Sequence, residues 1–203
     1  MMPTVWFRLP PGFYDIGPDD RAALEAMGEA LGGPEAQLEL SQLMNSLDEL
    51  ADHHVVHTAI GLHPDEPVGV STSLFSLTLR SADHPSPRTA TAQTAVAIAR
   101  SGMWTRSTRR FLDLPSSLPC CLVAGNISVP GLGRELFQAR VVTAHPSGSH
   151  VLVLDLTSAA THHADAYTEI IGAVTHTLSF SDPSPGPAPP SEARTSRILE
   201  VLL

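Results

Sequence analysis

Four strand-like runs follow one another in the second half of the chain, and no helical pattern separates them. They cover residues 105–114, 120–126, 135–145 and 150–157. Consecutive strands joined by short turns pair antiparallel, whereas a parallel pair needs a crossover of a dozen or more residues. This order therefore predicts a mostly antiparallel sheet and excludes a doubly wound parallel one.

The preceding and following segments add strands and helices to this sheet. Residues 54–62 and 70–80 alternate in hydropathy around a Pro-rich turn, which predicts a hairpin. The apolar phase shifts between Leu74 and Phe75, which indicates either a bulge or burial on both faces. An Ala-rich helix is predicted at 88–100. A second helix is predicted from an apolar stripe at helical spacing, formed by Tyr167, Ile170, Ile171, Val174 and Leu178.

The N-terminal region predicts a short strand at 5–9 and a helical hairpin at 19–50, whose two helices meet at Gly32-Gly33. The fold class is therefore α/β of the α+β kind, a mostly antiparallel sheet flanked by helices. Residues 1–182 are predicted to form one domain. Residues 183–203 form a Pro-rich spacer and a short apolar tail, which folding should not require.

The charge of the chain excludes several classes of partner. Twelve cationic residues, all Arg, face 21 acidic ones, so the formal charge is −9. This balance argues against nucleic acid and against an anionic membrane surface as partners. Arg106, Arg109 and Arg110 are the first candidates for binding an acidic partner, and a solvated strand edge is the alternative.

The cysteines and the N-terminus indicate a compartment. Cys120 and Cys121 are adjacent, so on a strand they face opposite sides and a disulfide between them would be strained. Their apolar neighbours predict inert thiols. With no secretory signal pattern and no apolar run of about 20 residues, a reduced, cytoplasmic protein is expected.

Candidate catalytic and metal-binding motifs are incomplete. Histidines cluster at 53–57 and at 162–163, but no HExxH or further Cys/His cluster completes a ligand set. No G-x-S-x-G nucleophile motif is present, and the glycine-containing segment 125–133 is predicted to be a strand-joining loop. We therefore expect no catalytic residues, no metal and no cofactor. Asp155 lies on an apolar strand and, if a helix covers its face, should need an Arg partner.

Two short elements resemble a known family. Leu-Pro-Pro-Gly-Phe at 9–13 opens the predicted element order, and the last predicted helix ends in Leu-Ser-Phe at 178–180. With the predicted element order, they resemble the PsbP-like family over residues 3–182, except at the helical hairpin and the tail. The resemblance implies a PsbP-like sandwich and a binding role without shared catalytic residues. The first half is also similar to small cytosolic proteins of actinobacterial type, some of them associated with type VII secretion clusters.

These observations predict a non-enzymatic accessory or adaptor protein that binds another protein, with a secretion or assembly role. Ile198, Leu199 and Leu202 of the tail are further candidates for partner binding, with a frayed end as the alternative. The tail or the helical hairpin could also join copies of the chain. The rival function is a small-molecule-handling hydrolase, which a cleft with His57 and His162 on one carboxylate would favour.

Overall fold

The computed structural model describes residues 4–17, 20, 54–65, 69–82, 84, 86–129 and 133–181. The strands are β1 Phe13–Asp15, β2 Val55–Asp65, β3 Gly69–Ser81, β4 Trp104–Phe111, β5 Cys120–Ser128, β6 Glu135–Ala144 and β7 His150–Ser158. The helices are α1 Pro87–Ala99 and α2 Ala164–His176, and a 3₁₀ turn at Thr161–His163 precedes α2. Neither of these helices is both long and apolar enough to span a bilayer.

The seven strands form one sheet in the order β1-β2-β3-β7-β6-β5-β4, and every neighbouring pair is antiparallel. This confirms the predicted antiparallel sheet. Within the described residues, β1 and β4 are its two edges. The predicted antiparallel pair of β2 and β3 is present, and both strands are longer than expected.

The helices cover opposite faces of the sheet. On one face Tyr167, Ile171 and Val174 of α2 pack in a cluster with the largest core side chains, among them Phe75 and Leu154. On the other face α1 packs through small residues against a second cluster that contains Ala90, Ala95, Cys121, Val123, Val142, Val151 and Val153. Since alternate residues of one strand belong to different clusters, the sheet is the middle layer of three.

The phase change in β3 reflects burial on both faces. Phe75, Ser76 and Leu77 are all buried, and the pairing of β3 with β7 continues through them without a register shift. Of the two alternatives, the bulge is therefore wrong. Phe75 and Leu77 lie on the face of the α2 core, Ser76 is buried on the opposite face, and exposure on that face is found toward the strand ends, at Thr72 and Arg80.

Three sequence expectations have a different outcome. The strand predicted at 5–9 is reduced to a single bridge, in which Trp6 and Ser179 exchange backbone hydrogen bonds of 2.8 and 2.9 Å. The loop predicted from Gly125 begins later, because β5 continues to Ser128. The helical hairpin at 19–50 lies outside the described residues, apart from Asp20.

Candidate functional site

The outer edge of β4 is unpaired within the described residues. Leu112 N–H donates to the Cys120 carbonyl at 3.1 Å, which makes these two residues a hydrogen-bonded pair of the β4–β5 ladder. Because hydrogen-bonded and non-hydrogen-bonded pairs alternate in an antiparallel ladder, Ser107, Arg109 and Phe111 direct their backbone N–H and C=O groups away from β5. The edge therefore presents main-chain donors and acceptors to a further strand.

The three predicted arginines lie on this edge but on two faces of the sheet. Arg106 and Arg110 share the face covered by α2, and the Arg110 guanidinium lies near Gly172 of that helix. Arg109 lies on the other face, where its guanidinium donates to the Ala99 carbonyl at the end of α1, at 3.2 Å. The prediction that Arg106 and Arg110 share one face is confirmed.

A groove of about 920 Å³ opens beside β4, between α1 and the segment that connects β4 to β5. Four of the twelve arginines line it: Arg88, Arg100, Arg109 and Arg110. Among the described lining residues, Asp113 is the one carboxylate. The groove is thus locally cationic in a chain of net negative charge.

Phe111 adds an apolar contact to this surface, and sequence reasoning missed it. Phe111 is 85% exposed to solvent, the largest exposed fraction among the large apolar residues that the structure describes. It faces the α1 side at the end of β4 and lines the groove. An aromatic residue in a strand pattern is typical of the core, so only its position at the end of an edge strand could have indicated exposure.

A bulge at the start of β4 brings this strand close to β5. The pairing shifts between Trp104 and Arg106, and a Cβ added to Gly125 would lie 1.9 Å from the Arg106 carbonyl oxygen. Any side chain at Gly125 would therefore push the two strands apart. This glycine supports the edge strand and has no role in a phosphate loop.

The two thiols lie on opposite faces, as predicted, and both line the groove. Burial raises the pKa of Cys120 to about 12 and also raises the pKa of Cys121, which Arg109 opposes. Since the thiolate is the nucleophilic form, neither cysteine is activated for covalent chemistry.

The histidines gather around two different carboxylates. His57 Nε2 lies 3.3 Å from Asp15 Oδ1, and burial lowers the pKa of His57. His162 and His163 both approach Asp65, with Nε2–Oδ1 distances of 3.1 and 3.2 Å. The structure therefore does not bring His57 and His162 to one carboxylate, the arrangement that would have favoured the hydrolase.

The remaining predicted residues are Asp155 and the three apolar residues of the tail. Asp155 has the predicted partner, because Arg140 Nε donates to its Oδ1 at 2.5 Å. Ile198, Leu199 and Leu202 lie outside the described residues.

Comparison with known proteins gives a likeness of fold alone. No family model and no curated protein matches the chain. LpqN of Mycobacterium tuberculosis, a protein involved in cell envelope biogenesis, is similar with a TM-score of 0.50, at 12% identity over 88% of this chain and 83% of LpqN. PA94 of Pseudomonas aeruginosa, a protein of unknown function, has a TM-score of 0.43 at 15% identity over 64% of this chain and 84% of PA94.

Proposed function

We propose that this chain is a non-enzymatic accessory protein that binds an extended, acidic segment of another protein along β4. The observation that carries the proposal is the edge itself. Its outward-facing backbone groups, three arginines and the exposed Phe111 lie within one strand of eight residues.

Strand addition accounts for this combination of features. A peptide that pairs with an exposed edge gains affinity from main-chain hydrogen bonds and specificity from its alternating side chains. Along β4, one set of peptide side chains would face Arg106 and Arg110, and the other set would face Arg109, Phe111 and the groove. Acidic residues at alternate positions suit Arg106 and Arg110, and the apolar residues between them suit Phe111 on the other face.

The local charge favours an acidic peptide although the whole chain is acidic. At physiological ionic strength the screening length is about 8 Å, so the arginines beside the groove outweigh more distant carboxylates. Arginine also binds carboxylates through two parallel N–H donors, which adds orientation to attraction.

The remaining parts of the function are proposals that build on this binding. The resemblance to the PsbP-like family supports a role without catalysis, and the LpqN-like fold is compatible with work in envelope or secretion processes. A cytoplasmic location is part of the proposal.

Titration of the full chain with synthetic peptides tests the proposal. The probe is an eight-residue peptide of alternating Val and Glu, and its control carries Lys in place of Glu. In amide NMR spectra, we expect the Glu peptide to shift residues 104–111 and the lining of the groove, less strongly as salt is added. Equal binding of the Lys peptide, or shifts confined to other strands, would contradict the proposal.

Charge-reversal and truncation variants locate the contact. Arg106→Glu should weaken binding of the Glu peptide at least about tenfold, because with Val toward Phe111 the Glu side chains lie on the face of Arg106 and Arg110, where the variant replaces attraction by repulsion. Its control is Arg80→Glu, an exposed position on β3. Phe111→Ser should also weaken binding, and Val70→Ser, a second exposed apolar position on β3, should not.

A further inference from the structure

A carboxylate and two imidazoles meet on the α2 face of the sheet, away from the groove. Asp65 is the last residue of β2, and His162 and His163 belong to the 3₁₀ turn that precedes α2. They are 97 and 98 positions apart in sequence, so the fold alone brings them together. One ligand atom from each of the three lies within 4.8 Å of the other two.

The geometry directs all three groups at one point. The Nε2 atoms of His162 and His163 approach the same oxygen, Asp65 Oδ1, at 3.1 and 3.2 Å, and the two rings lie 4.2 Å apart. His162 has a hydrogen bond to that oxygen, whereas the buried Nε2 of His163 has no hydrogen-bond partner. A single carboxylate oxygen thus leaves one of two converging nitrogens unsatisfied.

The surroundings hold these side chains in place. Asp65 is only 4% exposed, whereas the His162 side chain is 60% exposed and gives access from solvent. The Tyr167 ring lies beside His163, and its hydroxyl is fixed by Ser71 and Ser158 at 3.0 and 3.1 Å. A buried carboxylate whose neighbouring side chains are held in place, and which solvent can reach from one side, is suited to bind a ligand.

We propose that Asp65, His162 and His163 bind a divalent transition cation. Two imidazole nitrogens and one carboxylate oxygen are donors that zinc takes, and the same set forms the two-His, one-carboxylate sites of iron. Three protein ligands leave a further position for water or for a ligand atom. A bound cation would also satisfy the Nε2 of His163.

The expectation from sequence that no metal binds rested on incomplete histidine clusters. The missing ligand is Asp65, which no local spacing connects to the histidine pair. The fold creates this pairing, and the local sequence pattern does not contain it.

Zinc titration of the full, untagged chain tests the proposal. We expect one Zn²⁺ per chain by calorimetry, and a visible Co²⁺ spectrum typical of nitrogen and oxygen ligands. Loss of even an outer-shell partner weakens metal sites about 10–100-fold. We therefore expect at least this loss in Asp65→Asn, His162→Gln and His163→Gln.

The control is His57→Gln, which removes the imidazole of the other histidine–carboxylate pair and should leave the zinc affinity unchanged. His162→Gln changes a mostly exposed side chain, so it tests the site even if Asp65→Asn fails to fold. Absence of stoichiometric binding in the wild type would overturn the proposal. Equal zinc affinity of the wild type and His162→Gln would overturn it as well.

Discussion

The two faces of the sheet are covered in different ways. On the α2 face, large side chains such as Tyr167 and Ile171 fill the space over Phe75 and its neighbours. On the α1 face, the helix contributes alanines, and a groove of about 920 Å³ remains beside it. Close packing of large side chains stabilises a fold. Small side chains such as alanine leave space beside the helix, which a partner can occupy. The comparison assigns stability mainly to the α2 face and recognition to the α1 face and β4.

The same substitution on the two helices should separate these roles most strongly. Ile171→Asp places a carboxylate in the fully buried side of α2 and should cost several kcal/mol, enough to unfold the domain. Val96→Asp changes a residue of α1 that is 48% exposed and should alter the free energy of unfolding by about 0.5 kcal/mol or less. Urea unfolding measures both. Similar losses in the two variants would contradict the assignment of stability mainly to the α2 face.

A partly buried ion pair on the α1 face gives the next largest effect. Arg140→Met leaves the Asp155 carboxylate without its partner, which should cost about 2 kcal/mol, less than a fully buried pair, because both side chains are partly exposed. Arg80→Met, at an exposed position near the end of β3, is the control and should cost little. A loss below that of the control would show that the pair contributes nothing.

The loss in Arg140→Met should depend on pH. Burial raises the pKa of Asp155 above 3.8, and Arg140 opposes this shift. The folded state therefore binds the proton more tightly than the unfolded state, and the stability from Asp155 falls as pH rises through the raised pKa. Without Arg140 the pKa rises further, so the destabilisation should be small in acid and grow toward neutral pH. A destabilisation that is constant with pH would contradict this account.

A smaller pH effect is expected at His57, on the α2 face. Burial lowers its pKa below 6.5, so the unfolded state takes up the proton more readily and stability falls as pH decreases below 6.5. His57→Gln should flatten this part of the stability profile. A stability profile below pH 6.5 that is the same in the wild type and in His57→Gln would contradict this account.

Much of the fold follows from the sequence because it depends on local periodicity. Alternation predicted β5, β6 and β7 closely, and the same period of two placed Arg106 and Arg110 on one face. Contacts between distant segments have no such signal. The period does not reveal that Asp65 meets His162, that Phe111 is exposed, or that Gly125 lies against a bulge in β4.

The account depends on strand addition at the open edge of β4, and a proline substitution tests it most directly. Ser107 N–H points away from β5, so Ser107→Pro removes an outward donor without breaking the ladder, and proline is tolerated at such edge positions. The affinity for the Val/Glu peptide is measured by fluorescence anisotropy, after unfolding experiments establish that the variant folds. We predict that folding is retained and peptide binding is lost. Wild-type affinity in the folded proline variant would contradict strand addition.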